Sequence, residues 1–196
     1  MTDALFTIPT PVNEPVLSYA PGSPEKEAVK KALAAAKAAP GDIPMYIGGR
    51  KVYTERKSPM HPPHERAHLL GYHAVGDSTH VEAAIAAALA AKPAWEAMPW
   101  QERAAIFLRA ADRLTGPWRA RMMAATMLCQ GKNAYQAEID CICELADFWR
   151  FNVHFMQEIY RQQPISARNT WNRTDWRPLE GFVFALTPFN FTAIAG

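Results

Sequence analysis

Apolar positions recur at three- and four-residue intervals through most of the chain, and the interruptions divide it into segments. Val29 and Leu33, set among alanines, mark a helix that starts at Ser23-Pro24-Glu25 and stops at Pro40-Gly41. Thr79 and Glu82 form a capping-box pattern ahead of Val81, Ile85 and Leu89, which repeat every four residues. Trp100, Ala104, Phe107, Ala111 and Leu114 give the next stripe. Gly116-Pro117 breaks it, and a further helix is predicted to about Gln130. The last helix is predicted over residues 134–162, about 43 Å at 1.5 Å per residue. One of its stripes holds Ile139, Ile142, Ala146, Trp149, Val153, Met156 and Tyr160; a second holds Cys141, Leu145, Phe148, Phe155 and Ile159. Two apolar stripes predict burial on more than one side. Asp140, Glu144, Asp147, Arg150, His154 and Arg161 form the polar face, and Glu138 is expected to be solvated.

The pattern differs in three places. Residues 1–22 read as an extended arm punctuated by prolines. Residues 44–75 read as a small β-meander. It has a strand–glycine turn–strand at 45–53, a turn at His61-Pro62-Pro63-His64 and a strand near 68–75. Residues 168–177 read as an exposed strand. They lead to Phe182-Val183-Phe184-Ala185-Leu186-Thr187, in which five of six residues are apolar. That run has the composition of a fully buried parallel strand. The predicted class is therefore α/β: helices, a small β-meander and the first strand of a parallel sheet.

Composition narrows the classes. The chain has 196 residues and is 49% hydrophobic, enough for a real core. Its 21 basic and 19 acidic side chains leave a net charge of +2, which gives no electrostatic footprint for nucleic acid or an anionic membrane. No apolar run approaches the ~20 residues of a membrane span. The three cysteines, Cys129, Cys141 and Cys143, read as reduced, buried thiols. The first nineteen residues lack a basic, apolar signal-peptide pattern, which predicts a cytoplasmic location, with the mitochondrial matrix as the alternative.

Candidate chemistry concentrates after the apolar run. Ligands of doubly wound sheets bind just past the carboxyl ends of strands. There Asn190 stands between Phe189 and Phe191. Its amide has two readings, a donor to a developing oxyanion or a turn residue satisfying local backbone. The phenylalanines read either as pocket walls or as core. His61, His64, His68 and His73 lie in a hairpin without the convergence a zinc site needs, so no metal is assigned. Cys141 and Cys143 point about 200° apart on a helix and read as packing residues. Gln130-Gly131-Lys132 lacks the rest of a phosphate loop and reads as a helix break. Trp171 and Trp176 alternate with Arg168, Arg173 and Arg177. That strip reads as a charge-guarded or subunit-paired edge in preference to a nucleic-acid platform.

Several residue strings resemble the aldehyde dehydrogenase superfamily in its order. They are Ile47-Gly48-Gly49, the helices around Trp95 to Arg109, and Leu179-Glu180-Gly181-Phe182-Val183 running into Thr187-Pro188-Phe189-Asn190-Phe191. Others resemble its 1-pyrroline-5-carboxylate (glutamate-γ-semialdehyde) dehydrogenase family. These include Asn13-Glu14-Pro15-Val16-Leu17, Gln136-Ala137-Glu138-Ile139-Asp140, Phe148-Trp149-Arg150-Phe151-Asn152 and Phe189, where the wider superfamily usually has Trp.

The resemblance implies NAD-dependent oxidation of L-glutamate γ-semialdehyde to L-glutamate in proline breakdown. It implies Asn190 as oxyanion donor, and Thr187, Pro188 and Phe189 beside the nicotinamide end of NAD. Phe191 becomes a wall for the aliphatic part of the substrate, and Glu144 an acidic residue at its entrance. Residues 1–43 become an arm and helix, and 44–78 a meander of the oligomerisation region. Residues 79–166 become the helical part of the NAD-binding domain. Residues 167–196 become an oligomerisation-type strand followed by the first strand of a Rossmann-like sheet, as in a homo-oligomer. The family's nucleophilic cysteine and base glutamate match nothing here. The chain is thus expected to be an N-terminal fragment, inactive by itself; another aldehyde as substrate, or a stand-alone non-catalytic interaction module, are the alternatives.

Overall fold

In the computed structural model, which describes residues 6–194, local signals place the helix ends. Ser23 caps α1 (Pro24–Ala38), its hydroxyl accepting from the Lys26 amide. α2 (Ser78–Ala97) is capped by Asp77, not Thr79. The Asp77 carboxylate accepts from the Thr79 and His80 amides, and His80 Nδ1 returns to the Asp77 amide at 3.3 Å. Aspartate two residues earlier outcompetes the expected pair because its charge suits a helix N-terminus. α3 (Trp100–Thr115) stops at Gly116, and α4 (Arg119–Gln130) ends on Gly131, which sits at φ 66°. A Cβ there would lie 2.8 Å from Pro63 Cγ, so glycine serves both the left-handed cap and the close approach of a hairpin. α5 (Ala134–Ala137) opens with a reciprocal Asn133–Gln136 cap. It continues through a π-helical turn, Glu138–Cys143, into α6 (Glu144–Arg161). The predicted last helix is therefore one rod with a wide turn in it.

The β region is two separate antiparallel pairs, not one meander. β1 (Met45–Ile47) pairs with β2 (Arg50–Val52) through a Gly48-Gly49 turn with both φ values positive. β3 (Lys57–Met60) pairs with β4 (Gly71–Ala74), and a parallel bridge between Ile43 and His73 is added beside β4. Strand 57–60 carries a proline, which hides it from a period-two reading.

The principal helix pairs are α1 with α4 and α3 with α6. The core between them holds Val29, Ala111, Leu114, Met123, Ala137, Cys141, Ile142, Leu145 and Ala146. Alanines 111, 137 and 146 are fully buried and allow close helix approach. A smaller cluster joins Ile8 of the arm to Ala104 and Val153. The first stripe of the long helix is thus largely buried. The second divides: Cys141 and Leu145 are buried, whereas Phe148, Phe155 and Ile159 are exposed. Cys129 is also exposed, against expectation, because the end of α4 turns its side chain off the core.

The arm is bound by the long helix through polar contacts. Gln157 accepts from the Ile8 amide at 2.6 Å. Asp147 accepts from the Glu14 amide and from Asn13 Nδ2, both at 2.7 Å. Glu14 pairs with Arg119 at 2.9 Å and Arg150 at 2.7 Å. The expected polar face is therefore partly an arm-binding face. Glu138 is 0% exposed, which corrects its solvated reading. Its carboxylate accepts from the Leu17 amide at 3.0 Å, from Tyr19 OH at 2.6 Å and from the Arg119 guanidinium, and Cys143 Sγ stands 3.6 Å away. Burial, and then the hydrogen bond to Glu138, hold the Tyr19 phenol protonated well above its usual range.

Residues 162–188 have no regular secondary structure and are exposed. This corrects both the strand at 168–177 and the buried strand at 182–187. Leu186 is 85% exposed and Phe184 78%. A strand exists only by pairing, and none of the described residues offers this run an edge. Residues 163–174 are instead closed by side chains: Gln163 Oε1 accepts from the Thr174 amide at 2.8 Å and Asn172 Nδ2 donates to the Ile165 carbonyl at 2.9 Å. Arg173 lies over Trp171, 5.6 Å from the ring centroid.

Two outcomes follow for stability. Replacing Arg119 by Met strands the Glu138 carboxylate in the core and should cost about 3–5 kcal/mol in urea unfolding followed by circular dichroism. Burial raises the Glu14 carboxyl, but the hydrogen bonds from Arg150 and Arg119 outweigh it and hold the group below its usual 4.5. A depressed carboxylate binds fewer protons folded than unfolded. Its stabilisation is full above about pH 4.5 and is lost as pH falls through the lowered value. Glu14→Gln should therefore flatten the acid side of a plot of urea midpoint against pH; an unchanged acid slope would count against the arm contact.

Candidate active site

Asn190 occupies a turn just past the exposed 182–188 run, and its position is fixed from the helical side. Fully buried Thr126 on α4 donates to Thr192 Oγ1 at 2.9 Å. Ala193 and Ile194 pack on the main core. Lys132, the second residue after α4, reaches the same turn. Its ammonium donates to the Asn190 carbonyl oxygen at 2.7 Å and lies 4.5 Å from the Phe191 ring centroid. The same ammonium pairs with Asp140 of the π-turn. Three segments thus meet at one lysine: the helix break after Gly131, the π-turn and the 190–194 turn.

The local sequence explains the meeting. Gly131 ends α4 in a left-handed conformation, and Asn133 immediately starts the next helix. Lys132 is left between the two caps with its side chain free to leave the helix axis. The π-turn adds a residue to one helical turn, a device common at functional sites. Here it carries both Glu138, bound to the arm, and Asp140, bound to Lys132.

Asn190 is exposed, and its side-chain amide makes no hydrogen bond among the described residues. Phe191 is half-buried beneath the lysine. Thr187 and Pro188 lie in the irregular run, and Phe189 enters the turn and is 95% exposed. Glu144, exposed at the start of α6, lines another depression: an open groove of about 470 Å³ with Asn13, Asp147, Phe148, Phe151 and Phe155. The structure therefore joins Asn190 to Phe191 and leaves Glu144 in that separate groove.

None of the cysteines has the surroundings of an activated thiol. Burial, and then the Glu138 charge, push Cys143 up to about 12, and burial raises Cys141. A reactive thiolate needs the opposite, a nearby cation and a lowered pKa. Among the described residues no three His, Cys, Asp or Glu side chains converge as metal ligands. His61 Nδ1 instead meets the His68 carbonyl oxygen at 2.9 Å. Lys132 is the site residue that sequence pattern does not reveal. Its partners lie 8 and 58 positions away, and the only local sign is a lysine stranded between a helix-ending glycine and a capping asparagine.

A model described as the aldehyde dehydrogenase family matches residues 52–195. A delta-1-pyrroline-5-carboxylate dehydrogenase of Agaricus bisporus is 54% identical over 198 residues, covering 98% of this chain and 36% of the relative. The human mitochondrial delta-1-pyrroline-5-carboxylate dehydrogenase is 46% identical over 184 residues, 94% of this chain and 33% of that protein. The crystal structure of the Mycobacterium tuberculosis delta-pyrroline-5-carboxylate dehydrogenase bound with NAD and cobalamin superimposes with a TM-score of 0.96 at 51% identity. It covers 99% of this chain and 37% of that one. The chain thus spans about a third of the length of these relatives. Its architecture matches the corresponding part of their fold, and the chain belongs to the aldehyde dehydrogenase family.

Proposed function

We propose that this chain supplies the oxyanion-holding part of an NAD-dependent dehydrogenase that oxidises L-glutamate γ-semialdehyde, formed from 1-pyrroline-5-carboxylate, to L-glutamate. The observation that carries the reading is the Asn190 turn: an exposed amide, pinned through its own backbone, in a chain 54% identical to a relative named for that activity. Aldehyde, water and oxidised cofactor give carboxylate, reduced cofactor and two protons.

When a thiolate adds to the aldehyde carbon, negative charge develops on the carbonyl oxygen. Asn190 Nδ2 donates to that oxygen, and Phe191 walls the aliphatic chain. A donor held in place before the reaction costs no reorganisation during it. Cys141 and Cys143 are buried and protonated, so the attacking thiolate is assigned to neither. Glu144, at the mouth of its aromatic groove, is the proposed entrance residue. Bound NAD supplies the hydride acceptor. Thr187, Pro188 and Phe189 are the residues assigned beside its nicotinamide end; Phe189 offers exposed apolar surface, and the three carry no cation for its phosphates. The exposed 170–178 segment is the part of this chain that a homo-oligomer would use. Relatives from mouse and human are named mitochondrial, which supports a mitochondrial location, the alternative to the cytoplasm.

The test is a full-length chimera in which this chain replaces the aligned third of the Agaricus relative. It should form NADH from 1-pyrroline-5-carboxylate, and Asn190→Ala should lower kcat by ~10²–10³ with little change in melting temperature. A folded chimera that reduces NAD with other aldehydes but not with this one would overturn the substrate assignment. The chain alone should form no NADH.

A further inference from the structure

We infer that Lys132 is a positioning residue that sets the orientation of the Asn190 amide and the Phe191 ring; this rests on the oxyanion role proposed for Asn190. One ammonium serves three partners: the Asp140 carboxylate, the Asn190 carbonyl oxygen at 2.7 Å and the face of Phe191 at 4.5 Å. The lysine side chain is 16% exposed and the aspartate 24%, so the group is shielded from most solvent competition.

The contact goes to the backbone oxygen of Asn190, not to its side chain. The lysine therefore fixes the peptide plane from which the amide projects and leaves the amide donors unused. A carbonyl bonded to a cation is held more tightly than one bonded to a neutral donor. The same charge over Phe191 restrains the next residue through its ring. A compact head with three donors can face a carboxylate, a carbonyl and a ring at once; the planar fork of arginine cannot reproduce that geometry.

The lysine is itself fixed from outside the site. Asp140 belongs to the π-turn, whose first residue is the buried Glu138 that receives the arm. Thr126–Thr192 and the packing of Ala193 and Ile194 anchor the far side of the turn. Without Lys132, the turn keeps that anchor and loses the one that orients residue 190. The expected defect is misplacement of the amide with the fold retained, and misplacement on the ångström scale costs on the order of 10² in rate.

The experiment is a double-mutant cycle in the full-length chimera. Lys132→Met should lower kcat on the order of 10²-fold while KM moves much less. In an Asn190→Ala background the same substitution should lower kcat by less than about 3-fold, because the group it positions is gone. Lys132→Arg should restore only part of the rate. Asp140→Asn, which keeps the lysine and weakens its anchor, should give a smaller loss with the same dependence on Asn190. Backbone amide exchange over residues 190–194 should speed up on the order of 10-fold in Lys132→Met. Losses that multiply independently in the double variant, or a change confined to KM, would overturn the inference. Unaltered exchange at 190–194 would do so too. That exchange is read without substrate, so a chimera inactive on every aldehyde would defeat the functional reading and still leave the role of Lys132 decided.

Discussion

A carboxylate with no access to water organises this chain. Glu138 lies wholly inside the protein, where an unpaired charge would be far too costly to keep. Its oxygens therefore recruit donors from wherever the chain can bring them. The Leu17 amide and Tyr19 hydroxyl come from the arm, and the Arg119 guanidinium comes from the start of α4. Arg119 in turn needs Glu14, and Glu14 needs Arg150. Segments more than 100 residues apart are held together by one chain of charge compensation. Such networks are demanding: each member is stable only while the others are present.

The position of that carboxylate matters as much as its charge. Glu138 opens a π-helical turn, and the same turn carries Asp140 two residues on. One residue faces the arm and the other faces Lys132. The turn therefore passes the fixed geometry of the arm contact to the segment around Asn190. An extended arm, which by itself has no structure to impose, becomes part of what places the proposed oxyanion donor. The wide turn also accounts for three consecutive buried residues, Cys141, Ile142 and Cys143, since α4 covers one side and the arm another.

Residues 182–189 show the opposite situation. Their sequence is that of a buried strand, yet they lie exposed and unpaired. Composition gives a segment its preference for burial, but the ladder of hydrogen bonds must come from other segments. The relatives are about three times as long, and the chain aligns with only that fraction of them. The apolar strip from Phe182 to Phe189 is thus a surface whose sequence asks for partners that the described residues do not contain.

Much of the helical architecture was legible in the chain. Ser23-Pro24, Gly116, Gly131 and the apolar stripes placed the helices to within a few residues, because caps and periodicity act over a single turn. The Gly48-Gly49 turn was equally local. The motif strings around Asn190 and Phe191 were sufficient for family membership and for naming the candidate site. Tertiary structure alone decided the burial of Glu138, the use of Asp147 and Arg150 to bind the arm, and the three-way contact of Lys132. It also decided the exposure of Phe148, Cys129 and residues 182–189. The physical reason is shared: a charge on a helix face looks solvated until another segment covers it, and an apolar strand looks buried until its neighbours are counted. Sequence set each segment's local preference; which preferences were met depended on partners distant in the chain.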